Sequence, residues 1–245
     1  MRTIIILSTA LLIIAGSCTG AKVPVTETPD YYNYNEAGKG PELTVSLLKG
    51  KAHNHPLYAI WAETTDGRFL QTIYVSESIG KGVFLHGDAS SGKWLPGEIR
   101  RPAALPYWSH RRNIQAPDGL YIPTPETAIP DAYTGATPPK SFELTARLDS
   151  VPPDQFYVYM EINQTWDWNE YWTNNKYPDD DEYKTSCQPA LVYRTLVDMN
   201  DGTEFPMILF GRSHESGKDG KIYKDIETMT TALHIADEIT VTLKK

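Results

Sequence analysis

The feature that most constrains this chain is a series of short runs rich in β-branched and aromatic residues, with almost no helical periodicity between them. The runs are Leu43–Leu48, Leu57–Glu63, Phe69–Val75, Ser141–Leu148, Phe156–Ile162, Ala190–Val197, Phe205–Phe210 and Glu238–Leu243. In the fifth, Phe156, Val158, Met160 and Ile162 fall on one face and Tyr157, Tyr159 and Glu161 on the other, the pattern of a half-buried antiparallel strand. Thr64-Thr65-Asp66-Gly67-Arg68 lies between the second and third runs and centres an Asp-Gly turn, so these two are expected to be hairpin neighbours. No βαβ alternation and no long repeat is present, which points to an all-β fold: a single antiparallel β-sandwich, immunoglobulin-like in class, with long loop insertions. One short helix is expected near the C-terminus, over residues 226–237, where Met229, Leu233 and Ala236 fall at roughly helical spacing.

The N-terminus addresses location. Arg2 precedes the apolar run Ile4–Ala15, which has the length of a signal-peptide core and is too short to cross a bilayer comfortably. Residues 1–17 therefore read as a signal peptide of an exported chain. Ala15-Gly16-Ser17-Cys18 resembles a bacterial lipobox, with Ala15 where Leu is commoner, so lipidation of Cys18 and a plain cleaved signal both remain open. A lipid on Cys18 would anchor the domain at a membrane, in the periplasm or on the outer membrane, without a spanning helix. Residues 18–41, rich in Pro, Thr, Tyr, Asn and Gly, suit a flexible tether ahead of a β-sandwich over residues 42–245.

The charge balance, 23 Lys and Arg against 31 Asp and Glu, implies no nucleic-acid or anionic-lipid partner. The second cysteine, Cys187, is expected to be a lone buried thiol, since a lipidated Cys18 cannot pair with it and nothing beside it would depress its pKa.

The strongest chemical signal is Asp131-Ala132-Tyr133-Thr134-Gly135-Ala136-Thr137. A hydroxyl that must enter another enzyme's active site needs a narrow strip of backbone, which Gly135 and Ala136 supply. Pro130 before it and Pro138-Pro139 after it discourage a continuing helix or central strand, so an exposed loop is expected. The pattern resembles the Asp-x-x-Ser/Thr-Gly-Ala-Ser/Thr motif at which flavin transferases attach FMN through a phosphoester, as in the FMN-carrying subunits of bacterial ion-pumping oxidoreductases. The resemblance implies that Thr137 is the covalent FMN acceptor, with Asp131, Thr134, Gly135 and Ala136 read by the transferase. The bland alternative is a polar turn in which Asp131 folds back on its own backbone and Gly135 takes a positive φ.

Two insertions hold the remaining candidates. Residues 77–140 gather Trp94, Arg100, Arg101, Tyr107, Trp108, His110, Arg111 and Arg112. Arg111 and Arg112 either cradle the FMN phosphodiester and the reduced ring or form a solvated, salt-bridged loop. Residues 163–188 hold Trp166, Trp168 and Trp172, which either stack on a ring or a sugar face or cap one end of the sandwich as a satellite cluster. The acidic run Asp179–Glu182 lacks the spaced glycine loop of a dedicated Ca²⁺ site. His53-x-His55 has no HExxH or CxxC context, and Ser216 lacks a nucleophile elbow, so satisfied or loop roles are expected for both, with no metal site.

From Leu57 to Val241 the order of features is similar to a family of predicted periplasmic proteins of unknown function that accompany flavin transferases. The features are Tyr58-Ala59-Ile60-Trp61 before the Asp-Gly hairpin, the Asp131–Thr137 motif before a strand, Pro189-Ala190-Leu191-Val192-Tyr193, and the stretch from Ser216-Gly217 to Thr230-Thr231-Ala232. This implies a non-enzymatic carrier of covalent FMN for extracytoplasmic electron transfer, itself the substrate of a flavin transferase and served by an unidentified redox partner. The competing expectation is a cell-envelope module without cofactor that binds glycan or protein through the Trp-rich loop.

Overall fold

The computed structural model describes residues 27–88 and 90–244. Cys18 and the expected signal peptide lie outside the described residues. The architecture is mostly β, with thirteen strands among the described residues: β1 (Asp30–Tyr34), β2 (Glu42–Lys49), β3 (Leu57–Thr64), β4 (Phe69–Ser76), β5 (Val83–Asp88), β6 (Leu95–Glu98), β7 (Thr134–Gly135), β8 (Phe142–Arg147), β9 (Gln155–Asn163), β10 (Leu191–Asp198), β11 (Glu204–Pro206), β12 (Ile208–Arg212) and β13 (Ala236–Lys244). Three short helices accompany them: α1 (Glu77–Gly80), α2 (Pro106–Arg112) and α3 (Asp181–Lys184).

The strands form one open sheet in the order β1-β8-β2-β13-β11, a second in the order β12-β10-β9-β3-β4-β7, and a separate β5-β6 ribbon. Alternate residues of β2 and β8 (Leu43, Val45, Leu47; Phe142, Leu144, Ala146) share a hydrophobic cluster with Tyr58, Ile60, Phe156, Val158 and Met160 of the other sheet. Tyr58 and Phe142 meet edge to face, ring centroids 5.4 Å apart. The Asp-Gly turn forms as its sequence requires: Gly67 has φ +86° and Thr64 N–H donates to the Arg68 carbonyl.

Five expectations are corrected. Not every pair is antiparallel: β1 runs parallel to β8, and β7 parallel to β4. Order begins well before residue 42, because Tyr32 and Tyr34 of β1 pack against the main core and β1 takes the free edge of β8. No C-terminal helix forms over residues 226–237. The buried Met229, Ala232 and Ile235 recur every three residues, the pitch of a 3₁₀ turn, which spans Ala232–His234 before β13 begins. The run Phe205–Phe210 divides at Met207 between two sheets, β11 pairing with β13 and β12 with β10. Finally, β9 is not half-buried, since Tyr159 and Glu161 on its second face are also buried.

That last difference sets the architecture, because the first insertion is not surplus loop but a cover. It buries Ala104, Leu105, Tyr107, Trp108, Ile122 and Ile129 against Trp61, Val75, Tyr159 and Val192, making a second core on the far side of the six-stranded sheet. Trp61 and Tyr159 stack with centroids 5.2 Å apart and planes 9° from parallel. Glu161 is fully buried beneath α2, accepting the backbone N–H groups of Tyr107 (3.1 Å) and Trp108 (2.7 Å). These are donors that the first turn of a helix cannot satisfy internally.

Burial outweighs those two hydrogen bonds and pushes the Glu161 carboxyl up to about 8 from its ordinary 4.5. The folded state therefore holds a proton that the unfolded chain has released, so this group's contribution to stability is complete below pH 4.5 and is lost as pH rises to about 8. Glu161→Gln should remove this part of the pH dependence. Thermal unfolding followed by circular dichroism between pH 4.5 and pH 8 should show the wild-type midpoint falling more steeply with pH than the variant's. Parallel curves would mean that Glu161 titrates alike in both states.

Candidate functional site around Thr137

The Asp131–Thr137 segment is held at the edge of the six-stranded sheet. After Pro130, Asp131–Tyr133 makes one 3₁₀ turn closed by Tyr133 N–H to the Pro130 carbonyl (3.0 Å). Thr134 and Gly135 then extend as β7, in register with Val75 and Ser76 of β4. Contrary to the expectation of a plain exposed loop, this is a two-residue edge strand, with Pro138 three residues after its end.

Tyrosines fix the two small residues. The Tyr74 hydroxyl lies 3.1 Å from the Gly135 carbonyl oxygen and 3.0 Å from that of Ala136, and donates between them. A methyl group on Gly135 would collide with the Tyr34 hydroxyl, so glycine is required here by close packing and not by a positive φ. Tyr34 and Tyr74 lie 5.1 Å apart centroid to centroid. Thr134 is buried, and its methyl packs where a side chain on Gly80 would intrude.

Thr137 itself is half-buried, not protruding. Its hydroxyl donates to Ser76 Oγ (3.1 Å), and the same oxygen accepts the Tyr58 backbone N–H (2.9 Å). Thr137 and Ala136 line a cavity of 310 Å³ whose other walls are Glu77, Ser78, Val83, Phe84 and Leu85. Asp131 stands at the surface and pairs with Lys81, an exposed contact worth about 0–1 kcal/mol.

The arginines named above do not gather at Thr137. Arg111 makes a two-point pair with the buried Glu63 (2.7 Å each) and donates to the Gly67 carbonyl, at the β3–β4 turn. Glu63 also accepts the Trp61 indole N–H (2.7 Å), and hydrogen bonding to Glu63 raises the Arg111 pKa. Ser76 and Thr137 are at the other end of β4, about 23 Å away at roughly 3.3 Å per residue. Arg112 stacks on Trp108 (4.9 Å), and burial brings its pKa down to about 10. Neither is placed to cradle a phosphodiester on Thr137. Of the insertion's arginines, Arg101 is the one whose contacts reach the cavity wall, stacking 5.3 Å from the Phe84 ring and 4.8 Å from Trp166.

The other candidates resolve into structural roles. Trp172 is buried in the main core, its N–H on Thr228 Oγ1 (3.2 Å), whereas Trp166 and Trp168 are exposed, so the three do not share one surface. Asp180 caps α3 through Tyr183 N–H and accepts from Ser216 and Lys218. Against the upward push of burial, these partners hold its carboxyl at about 2. His53 bonds the Tyr58 hydroxyl (2.8 Å) and His55 bonds Asn54. Among the described residues no cluster suits a metal ion, and no helix is long and apolar enough to cross a membrane. Cys187 is free and buried, and burial pushes its thiol pKa up.

Sequence reasoning missed Tyr34, Tyr74, Ser76 and Glu161. Only Glu161, a carboxylate inside an apolar strand, carried a visible signal. No family model matches the chain, and neither a curated protein nor a solved structure is found similar to it.

The packing of Tyr34 against Gly135 generates a test. Gly135→Ala should destabilise the protein by about 1–3 kcal/mol, the cost of overfilling a packed site. In a Tyr34→Ala background, which opens that space, the same change should cost less than in the wild type, and denaturant titration of the double-mutant cycle measures the coupling. Additive costs would show that Tyr34 is not what excludes a side chain at 135.

Proposed function

We propose that this chain is an extracytoplasmic carrier of covalent FMN on Thr137, serving electron transfer as the substrate of a flavin transferase. The observation that carries the reading is the coincidence of the Asp131–Thr137 motif with a half-buried Thr137 on the wall of a largely apolar cavity. In the attachment step Thr137 Oγ forms a bond to the FMN phosphorus of FAD, the pyrophosphate bond breaks, AMP leaves and the hydroxyl proton is released. The residues present fit such a group: Val83, Phe84, Leu85 and Ala136 supply apolar wall beside the acceptor oxygen. FMN would supply the redox chemistry, while Ser76 orients the hydroxyl and Tyr74 and Tyr34 hold the backbone that carries it. We read the two-sheet core as a β-sandwich of immunoglobulin-like class, and the anchor as a lipid on Cys18. The alternative of a glycan- or protein-binding module draws less support, because Trp172 is withdrawn into the core and leaves no three-ring platform.

Co-expression with a periplasmic flavin transferase should add to the chain the mass of FMN less one water, retained on denaturation and located on the peptide containing Thr137. Thr137→Val should abolish the adduct at a stability cost of about 1 kcal/mol for one lost hydrogen bond, since Ser76 keeps its Tyr58 N–H. A wild-type chain left unmodified beside a control substrate that is flavinylated, or flavin on the Val variant, would sink the proposal.

The anchor is tested separately: wild type should sediment with membranes and Cys18→Ala should be released. Equal release of both would favour a plain secretory signal.

A further inference from the structure

We infer that the cavity beside Thr137 seats the flavin ring, that Phe84 and Leu85 are the side chains that shield it, and that Glu77, not Arg111 or Arg112, sets the charge it meets. The inference rests on the Thr137 reading and deepens it.

Three observations carry it. The cavity, at 310 Å³, lies at the small end of the range of ligand sites, about 300–1,000 Å³, and the acceptor threonine is part of its wall. A group esterified to Thr137 is thereby within reach of these side chains. Second, the β5–β6 ribbon presents exposed apolar side chains: Phe84, whose ring also meets Arg101 and His86, is 36 % and Leu85 71 % exposed. Apolar side chains clustered at a cavity rim leave apolar area in water that a planar aromatic ring would cover.

Third, the ionisable lining is lopsided. Among the described residues, Glu77 is the one acidic or basic side chain in the wall, and Arg101 is set back, stacked on Phe84. Arg111 and Arg112, which the sequence offered for a positive field, are committed elsewhere, Arg111 to Glu63 at the other end of β4 and Arg112 to the Trp108 ring. A carboxylate beside a ring that gains negative charge on reduction disfavours the reduced form, so Glu77 lowers the midpoint potential.

The test uses the flavinylated full-length protein, with mass spectrometry confirming one adduct per chain in every variant. Acrylamide quenching of flavin fluorescence should be weaker than for free FMN by more than about twofold, as burial of most of the ring requires. Phe84→Ser combined with Leu85→Ser should raise quenching towards the free value. Leu48→Ser, at an exposed leucine of β2, should not. Glu77→Gln should shift the midpoint potential upward, and Arg111→Gln should leave it in place.

Adduct present with quenching equal to free FMN in the wild type, or unchanged in the double variant, overturns the seat. A potential that moves with Arg111 and not with Glu77 overturns the assignment of charge. No adduct on the wild type removes the Thr137 reading and the cavity's role with it, an outcome that mass alone distinguishes from the other two.

Discussion

A buried carboxyl group fastens the first insertion to the sheet, and much of the remaining arrangement follows from that fastening. Glu161 lies two residues before the end of β9, between β3 and β10, where water cannot reach it. It is tolerated there because the first turn of α2 offers two backbone N–H groups that have no partner within the helix. Each side answers the other's deficit, which a buried polar group and a short helix both require. With α2 seated, Trp108 and Tyr107 cover Trp61 and Tyr159, and β3 and most of β9 are buried on both faces. Glu63 repeats the device one strand over, with Arg111 as partner.

The same cover explains where the Asp131–Thr137 segment runs. Residues 104–129 cover the sheet's outer face and the chain returns along the β4 edge, where Thr134 and Gly135 pair with Val75 and Ser76. An edge strand two residues long, ended shortly by prolines, leaves no row of free backbone groups for another chain. It also sets Thr137 beside Ser76 and the start of α1, so the Thr137 hydroxyl's position and the cavity wall are consequences of one pairing register. A slip of one residue would exchange the buried Thr134 for Gly135 and move Thr137 to the opposite face.

Local signals were legible in the sequence and remote ones were not. β2, β3, β4, β8, β9, β10 and β13 were readable because each holds alternating or continuous apolar residues, and the β3–β4 turn because Asp-Gly needs only its own backbone. The parallel edge strands β1 and β7 were hidden, since Asp30–Tyr34 and Thr134-Gly135 are polar or small and become strands only through partners far along the chain. The expected C-terminal helix failed on one detail of period: core contacts every third residue fit a 3₁₀ turn as well as an α-helix. The acceptor motif was legible as a pattern, but Tyr34, Tyr74 and Ser76 come from segments that carry no trace of it.

The arginine cluster shows why charge along a sequence is a weak guide to charge at a site. Arg111 and Arg112 lie within thirty residues of Thr137 and share an insertion with it, which made an anion cradle a natural expectation. The fold instead places a buried Glu63 within reach of Arg111, and a bidentate guanidinium–carboxylate pair out of water is costly to break. An arginine so committed neutralises the core's own acid and is not free to serve a ligand. What remains at the cavity is apolar wall with one acidic neighbour, an environment that favours an uncharged planar ring over added negative charge. A flavin held there would be tuned to give electrons away more readily than it holds them.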